Sequence, residues 1–540
     1  MEKRILVAFL LSLAVLYGFR ALYGPQPTVP IAPQTQEPVP ASPESSAKPE
    51  SSAEQQSPSG SSPGKVIQAE RAENVMFESA LYDVTISNRG AVLRSFKPKL
   101  YTDGKGSPID LIDANGAEKL GWPLAMVTAD PKLNELLASA DFLVTREGNG
   151  LELEYADGSV HARKTMTFEP DNYDLVLTTS LTRDGKAVPH EIVWQSGFGD
   201  QSITPDPAKR FVVYPEGSAL TKTAVASLED KALMADRVGV EDQYFLAMFR
   251  MAGSGGIKLR KQEYPGSDGK PVATSHISID AQEQPTRIYI GPKDQKALAK
   301  ADPRLFAVID YDYGYFGFIA KPLTRALFWI HSYIGNFGWA IIVLTVLINL
   351  LLFPLRLKQQ SSMLKMQTIQ PQMRTLQDKY KKLKPNDPKR AEVQSQMMGL
   401  YKEHGVNPMG GCLPLLLQMP FLMAFWSMLN AAIELRQAPW ILWIRDLSVP
   451  DPYFIMPIIM AVSMVVQQKM TPNPTMDPMQ ARMMLIMPLM FSVLFLWAQS
   501  GLMLYWLTSN LVGIGQQVFI NKYWAPPPKK GRSKKNEPEE

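Results

Sequence analysis

The sequence predicts a membrane α-helical bundle joined to an extracytoplasmic all-β domain, and three observations predict it. Five apolar runs lie between Phe337 and Ile520, and a further one follows Met1-Glu-Lys-Arg4. Strand-like alternation fills much of the stretch between these two regions. Basic residues gather beside the apolar runs, so the modest net charge of +4 over 540 residues speaks first to topology.

Taken in order, residues 1–23 read as an uncleaved signal anchor. A charged start precedes the apolar stretch Ile5 to Phe19, and no small-x-small cleavage site follows it. Residues 24–65 are largely Pro, Ser, Gln, Ala and Glu without an aromatic, a composition that cannot offset chain entropy and serves as a tether. Residues 66–303 read as an antiparallel sandwich. Tyr82, Val84 and Ile86 alternate with Asp83, Thr85 and Ser87 before a turn at Asn88-Arg-Gly90. Leu151, Leu153 and Tyr155 alternate before Asp157-Gly158, and Tyr173, Leu175 and Leu177 repeat the pattern. Helices are expected only at Pro131 to Ser139 and at Lys293 to Ala301. Residues 304–336 mix Tyr, Phe and Trp329 with Lys321 and Arg325, which suits a helix lying in the outer membrane interface.

The core, residues 337–521, is expected to cross the membrane near 337–355, 412–433, 453–467, 483–498 and 502–520. The segment 357–404 is rich in Lys and Arg, and so is the tail 522–540, which puts both in the cytoplasm. Six spans with both ends inside follow, with the β domain outside. Met363, Met366, Ile369, Met373, Leu376, Tyr380 and Leu383 recur at threes and fours. Lys384-Pro-Asn-Asp-Pro388 breaks the pattern and Val393, Met397 and Leu400 resume it, so 357–404 is a helical hairpin. Pro371 either kinks its first arm or marks that arm's start.

Several runs carry amides in their middles: Asn349, Gln418, Gln467, Asn510 and Gln516. An unpartnered amide in hydrocarbon costs roughly 2–7 kcal/mol, so these side chains should face one another or a wet hollow. The 27 methionines concentrate in the hairpin and from Met456 to Met490, as suits a surface that meets varied apolar segments or fills irregular packing. The lone Cys412 excludes a disulfide framework, no two histidines stand at a zinc-helix spacing, and no phosphate-binding Gly-rich loop is present. Neither catalytic nor metal-ligating residues are expected, and no cofactor.

Eight motifs, Tyr289-Ile-Gly-Pro-Lys293, Trp329-Ile-His-Ser332, Phe353-Pro-Leu355, Asn407-Pro-Met-Gly-Gly-Cys-Leu-Pro414, Gln418-Met-Pro420, Glu434-Leu-Arg-Gln-Ala-Pro439, Asp477-Pro-Met479 and Ser509-Asn-Leu511, closely resemble the YidC/Oxa1/Alb3 membrane protein insertase family. The likeness is to the Gram-negative form with a large periplasmic domain. It implies a bacterial inner-membrane location, a β-supersandwich, and a five-helix core with a hydrophilic groove open to cytoplasm and lipid. It also implies nascent membrane proteins as substrates, with the Sec translocon, the ribosome and the phospholipid bilayer as partners and no small-molecule substrate. By resemblance Thr345 and Tyr505 or Trp506 fall at groove positions, and Asn349 stands where the family has its groove arginine. Arg356 and Lys358, two turns towards the cytoplasm, are then the nearest cations and possible substitutes, so either the uncharged amide suffices or Arg356 snorkels back. A small-solute transporter and a membrane-tethered periplasmic carbohydrate-active protein are the alternatives. The first lacks a span repeat and an intramembrane carboxylate.

Overall fold

The computed structural model describes residues 66–523 except 104–105, 203–209, 218, 267–268, 282–283, 385–386, 405–412, 471–489, 491 and 494; of 311, 361–368, 370, 381 and 413–417 it describes the backbone only. The expected anchor, the tether and the basic tail from Trp524 onward therefore lie outside the described residues, as do Cys412 and most of the run 483–498.

Two sheets build the soluble part. Among the described residues one has fourteen strands, paired antiparallel throughout, around the long strand Phe245–Pro265, which pairs with Lys231–Glu241, Pro271–Asp280 and Thr286–Pro292. The other is the three-stranded sheet Asn74–Glu78, Tyr82–Ser87 and Val92–Pro98. The period-two reading holds residue by residue: Tyr82, Val84 and Ile86 are buried, as are Leu151, Leu153 and Tyr155 and then Tyr173, Leu175 and Leu177. The turn at Asp157-Gly158 works as its chemistry requires. Gly158 takes a left-handed φ of 95°, and the Asp157 carboxylate accepts from the Ser159 and Val160 amides at 2.9 and 2.7 Å.

One residue breaks the inside-apolar rule. Lys164 is fully buried, and its ammonium donates to the Ala91 carbonyl at 2.8 Å and to that of Leu124, with no ion pair among the described residues. Burial pulls its pKa down to about 7. The unfolded chain therefore binds more protons than the folded one from about pH 7 to 10.5. Stability should rise across that window, by at most about 1.4 kcal/mol per pH unit. Lys164→Met should flatten this slope, so that its thermal-melting advantage over the parent shrinks as pH rises from 7 to 10. A constant difference would show that Lys164 does not titrate on unfolding.

The helices, in chain order, are α1 (Ala114–Leu120), α2 (Pro131–Ser139), α3 (Gln295–Ala301), α4 (Phe306–Asp312), α5 (Gly317–Ile334), α6 (Phe337–Leu351), α7 (Phe353–Thr368), α8 (Gln370–Lys382), α9 (Lys389–Glu403), α10 (Leu413–Ala431), α11 (Ile455–Met470) and α12 (Ser500–Tyr523). The Asp130 carboxylate caps α2, accepting from Lys132 N at 3.0 Å, and a proline follows at the first turn. α5 keeps Tyr333 and Trp329 exposed while burying Ala320, Leu323 and Leu327. It ends at Gly335 in the left-handed conformation, and Asn336 then caps α6 through Trp339 N at 3.1 Å.

One expected span is built differently from a straight helix. The run 337–355 is not one helix: it breaks at Leu352 and bends by 54° between α6 and α7. Pro354 explains the break, since it has no N–H to offer to Leu350 and its ring crowds the preceding turn. Among the described residues no single helix is long and apolar enough to cross a membrane, and this bent pair alone passes that test. The amides explain part of this, because Asn510, Gln516 and Gln517 lower the hydropathy of α12 despite its 24 residues. Between 357 and 404 lie three helices rather than two arms. Pro371 sits in the first turn of α8 and marks a true start. α8 and α9 meet through Ile369 and Met373 on one side and Met397, Leu400 and Tyr401 on the other.

Candidate functional site

α6, α7, α10, α11 and α12 bring most of the expected groove residues into one buried polar seam. Thr345 is fully buried and its hydroxyl donates back to the Ile341 carbonyl at 2.6 Å. One turn on, Asn349 Nδ2 donates to Thr345 O at 2.8 Å and to Ser509 Oγ at 3.3 Å. Gln418 Nε2 donates to Tyr505 OH at 2.8 Å and to Ser509 Oγ at 3.2 Å, linking α10 to the same point. Asn510 Nδ2 reaches Ser463 Oγ on α11 at 3.3 Å. Gln516 Nε2 donates to Asn349 O at 3.1 Å. Trp506 lies beside the seam, its ring 4.8 Å from that of Phe495.

The sequence leaves two options at this site: the uncharged Asn349 serves alone, or Arg356 snorkels back into the seam. In the structure the Arg356 guanidinium donates to Gln516 Oε1 at 2.7 Å and lies 3.5 Å from Asn349 Oδ1. Arg356 stands in the first turn of α7, just past the break at Leu352, and its long side chain reaches back across the bend to the end of α6. Gly513 makes the room. A Cβ there would stand 3.0 Å from Arg356 Nη1 and 2.9 Å from Gln467 Nε2. Lys358, two residues further, is exposed.

The sequence reading missed three members: Ser509, Ser463 and Gly513. For two of them a signal was there. Tyr505, Ser509 and Gln516 fall at i, i+4 and i+11, with Gly513 between, which is one face of α12. Ser463 on α11 carried no comparable pattern. Among the described residues, Thr345, Asn349, Tyr505, Asn510 and Gln516 are each at most 9% exposed, and their polar groups pair within the seam.

A second polar cluster docks the β domain on the helices, through the segment that carries the Glu434-Leu-Arg-Gln-Ala-Pro439 motif. Arg436 donates to Asp200 Oδ2 at 2.6 Å and Thr102 O at 3.1 Å, and lies 5.3 Å from the Tyr244 ring centre. Gln437 Nε2 adds bonds to Thr102 O at 2.6 Å and Oγ1 at 2.7 Å, from a left-handed φ of 57°. Glu434 Oε1 accepts from Gln295 N at 3.4 Å; burial, then the neighbouring Asp294 carboxylate, push the Glu434 carboxyl up to about 8. Nearby, Lys222 bridges Glu241 and Asp312, each at 2.6 Å, and Lys293 reaches Asp312 at 3.0 Å and Glu241 at 3.5 Å. Burial works against the Lys293 ammonium, yet Glu241 and Asp312 hold its pKa above the ordinary value. Asp312 ends α4, so this network ties the sheet to the helices leading into the core.

A bent polar-seamed bundle under a docked β domain is matched along nearly the whole sequence. A family model described as 60Kd inner membrane protein matches residues 329–527, and one described as YidC periplasmic domain matches residues 74–326. The membrane protein insertase YidC of Geobacter metallireducens is 34% identical over 97% of this chain and 98% of its own length. That of Geotalea daltonii is 33% identical over 97% and 99%. The solved active YidC insertase with its first transmembrane domain resolved is 19% identical, covering 86% of this chain and 95% of that one at a TM-score of 0.37. The two family models together cover both the sheet domain and the helical core, and the relatives match end to end, so the chain belongs to the YidC family of membrane protein insertases.

Proposed function

We propose that this chain inserts membrane proteins and assists their folding, alone or beside the Sec translocon, and that the seam around Arg356 receives the polar tail of the substrate. The single observation supporting that role is a guanidinium held among amides and hydroxyls between helices, at Gln516 and Asn349. Every member of the seam has a hydrogen-bonding partner at rest, so an incoming tail exchanges one set of hydrogen bonds for another instead of entering bare hydrocarbon.

In this reading the helices form a six-span unit, both termini and the basic helices α7 to α9 face the cytoplasm, and the β domain is periplasmic. The nascent chain arrives from the ribosome. Its tail enters the groove from the cytoplasm while its apolar helix slides along α10 and the run 483–498 into lipid. Burial of that helix drives the step at ~25 cal/mol per Å², and no bond chemistry is catalysed. α11, at 16 residues, is about 24 Å long against a hydrocarbon core of ~30 Å, which favours local thinning and a lower barrier.

Asn349→Leu tests the seam without touching a charge. It removes an acceptor beside Arg356 and two donor contacts, so insertion of a substrate with an acidic tail should fall about threefold while a neutral-tailed one is unaffected. In vitro insertion into vesicles reads this directly. Equal loss for both substrates would make Asn349 mere packing.

A further inference from the structure

At the other end of the core, where the loop after α10 meets the start of α11, lies a cavity of about 480 Å³ lined by Trp443, Arg445, Asp446, Val449, Tyr453 and Ser500 among others. No part of the insertion mechanism uses it. Its walls are held firmly. The Asp451 carboxylate, itself 1% exposed, accepts from Trp443 Nε1 at 3.0 Å, from Tyr453 N at 3.0 Å and from Met456 N at 2.8 Å. That fixes both aromatic rings, whose centres are 6.4 Å apart and nearly perpendicular, relative to the first turn of α11. Two non-glycine residues in the left-handed region, Leu442 at φ 53° and Phe454 at φ 55°, sit within one residue of those rings. Such backbone is uncommon outside glycine and concentrates at binding sites.

The charges in the cavity are of both signs, and each has spare capacity. Arg445 is exposed and makes no ion pair or hydrogen bond among the described residues. Asp446 uses Oδ1 for the Ser448 amide at 2.8 Å and hydroxyl at 2.7 Å, and Oδ2 has no donor among the described residues. A guanidinium suits a phosphate, while a carboxylate oxygen beside two aromatic rings suits an ammonium. The cavity also opens beside an apolar track. Ile458, Val462 and Val466 recur every fourth residue along α11 and are 61%, 59% and 42% exposed, continuing from the exposed Tyr453 and Phe454.

We propose that this cavity binds a zwitterionic phospholipid, its phosphate on Arg445, its ammonium between Trp443, Tyr453 and Asp446, and one acyl chain along the Ile458, Val462 and Val466 face. The proposal rests on the reading that the core crosses a membrane. Bound there, a lipid would seat the short helix α11 at a defined depth in the outer leaflet.

The test is native mass spectrometry of the delipidated full chain titrated with phosphatidylethanolamine and with phosphatidylglycerol. The parent should hold phosphatidylethanolamine about fivefold more tightly. Arg445→Gln should weaken both lipids about fivefold, because both carry the phosphate, and Asp446→Asn should erase the preference. Both side chains are solvent-accessible, so the variants fold. Equal affinity of the parent for both lipids, or unchanged binding in Arg445→Gln, overturns the proposal. Displacement of the lipid by soluble O-phosphoethanolamine at equal concentration would overturn it too, by showing a site for a free phosphoamine. Insertion measured on the same samples separates the two readings: intact insertion without lipid preference sinks the pocket alone, and lipid preference without insertion sinks the insertase reading alone.

Discussion

Arg356→Gln is expected to lower insertion of a substrate with an acidic translocated tail about tenfold or more, while a neutral-tailed substrate loses less than about twofold. The effect follows from where the cation is held, at Gln516 and Asn349. At about 4 Å and an effective dielectric of ~20, one charge pair is worth ~4 kcal/mol. Tenfold requires only about 1.4 kcal/mol, so the estimate stands after discounting for the partial exposure of Arg356. Glutamine keeps a donor near Gln516 but removes the charge, which isolates the electrostatic part. Arg356→Lys should recover only part of the activity, because a single ammonium cannot bridge Gln516 and Asn349 as the guanidinium fork does. Equal loss for acidic and neutral tails would assign Arg356 to bundle stability instead.

Glu241→Gln carries the largest expected effect on stability. The side chains of Glu241, Lys222 and Lys293 are at most 2% exposed, and Glu241 stands between the two ammonium groups. Removing its charge leaves two buried cations to share Asp312, whose side chain is 24% exposed. Breaking such a pair typically costs about 3–5 kcal/mol, because the stranded charge is neither hydrated nor neutralised. Thermal unfolding of the full chain in detergent should therefore shift down by several degrees, and exchange protection should fall first at α4 and at strand Lys231–Glu241. A melting point within about a degree of the parent would mean that water or rearrangement already compensates these lysines.

The soluble half was the more legible in the sequence, for a physical reason. A sandwich strand buries every second side chain, so Tyr82, Val84 and Ile86 announce both the element and its inward face. Asp130-Pro131 likewise announced α2, since a capping carboxylate followed by proline leaves few other options. The helical half was harder to read. Hydropathy reported apolar runs but not where a helix breaks, and so Leu352 went unnoticed although Pro354 stood beside it.

At the candidate site the amides Asn349, Gln418, Asn510 and Gln516 were legible, because a polar group in an apolar run demands a partner. Which partner was not. That Arg356 could snorkel back was one of two options the sequence left open; choosing it depends on the bend between α6 and α7 and on the gap at Gly513, neither of which hydropathy or charge counting reports. The docking role of Arg436 was hidden for a different reason. Its partners Asp200 and Thr102 lie more than two hundred residues away, so the motif that carries it names no contact.

The central claim is that a substrate's polar tail lies in the seam around Arg356 during insertion. The most direct measurement places a photoreactive residue in the acidic tail of a stalled nascent membrane protein and maps, by mass spectrometry, where it attaches to this chain. Attachment should concentrate on α6 and α12 near Asn349, Ser509, Asn510 and Gln516, and should disperse in Arg356→Gln. Attachment confined to residues outside the bundle, unchanged by that substitution, would contradict the account.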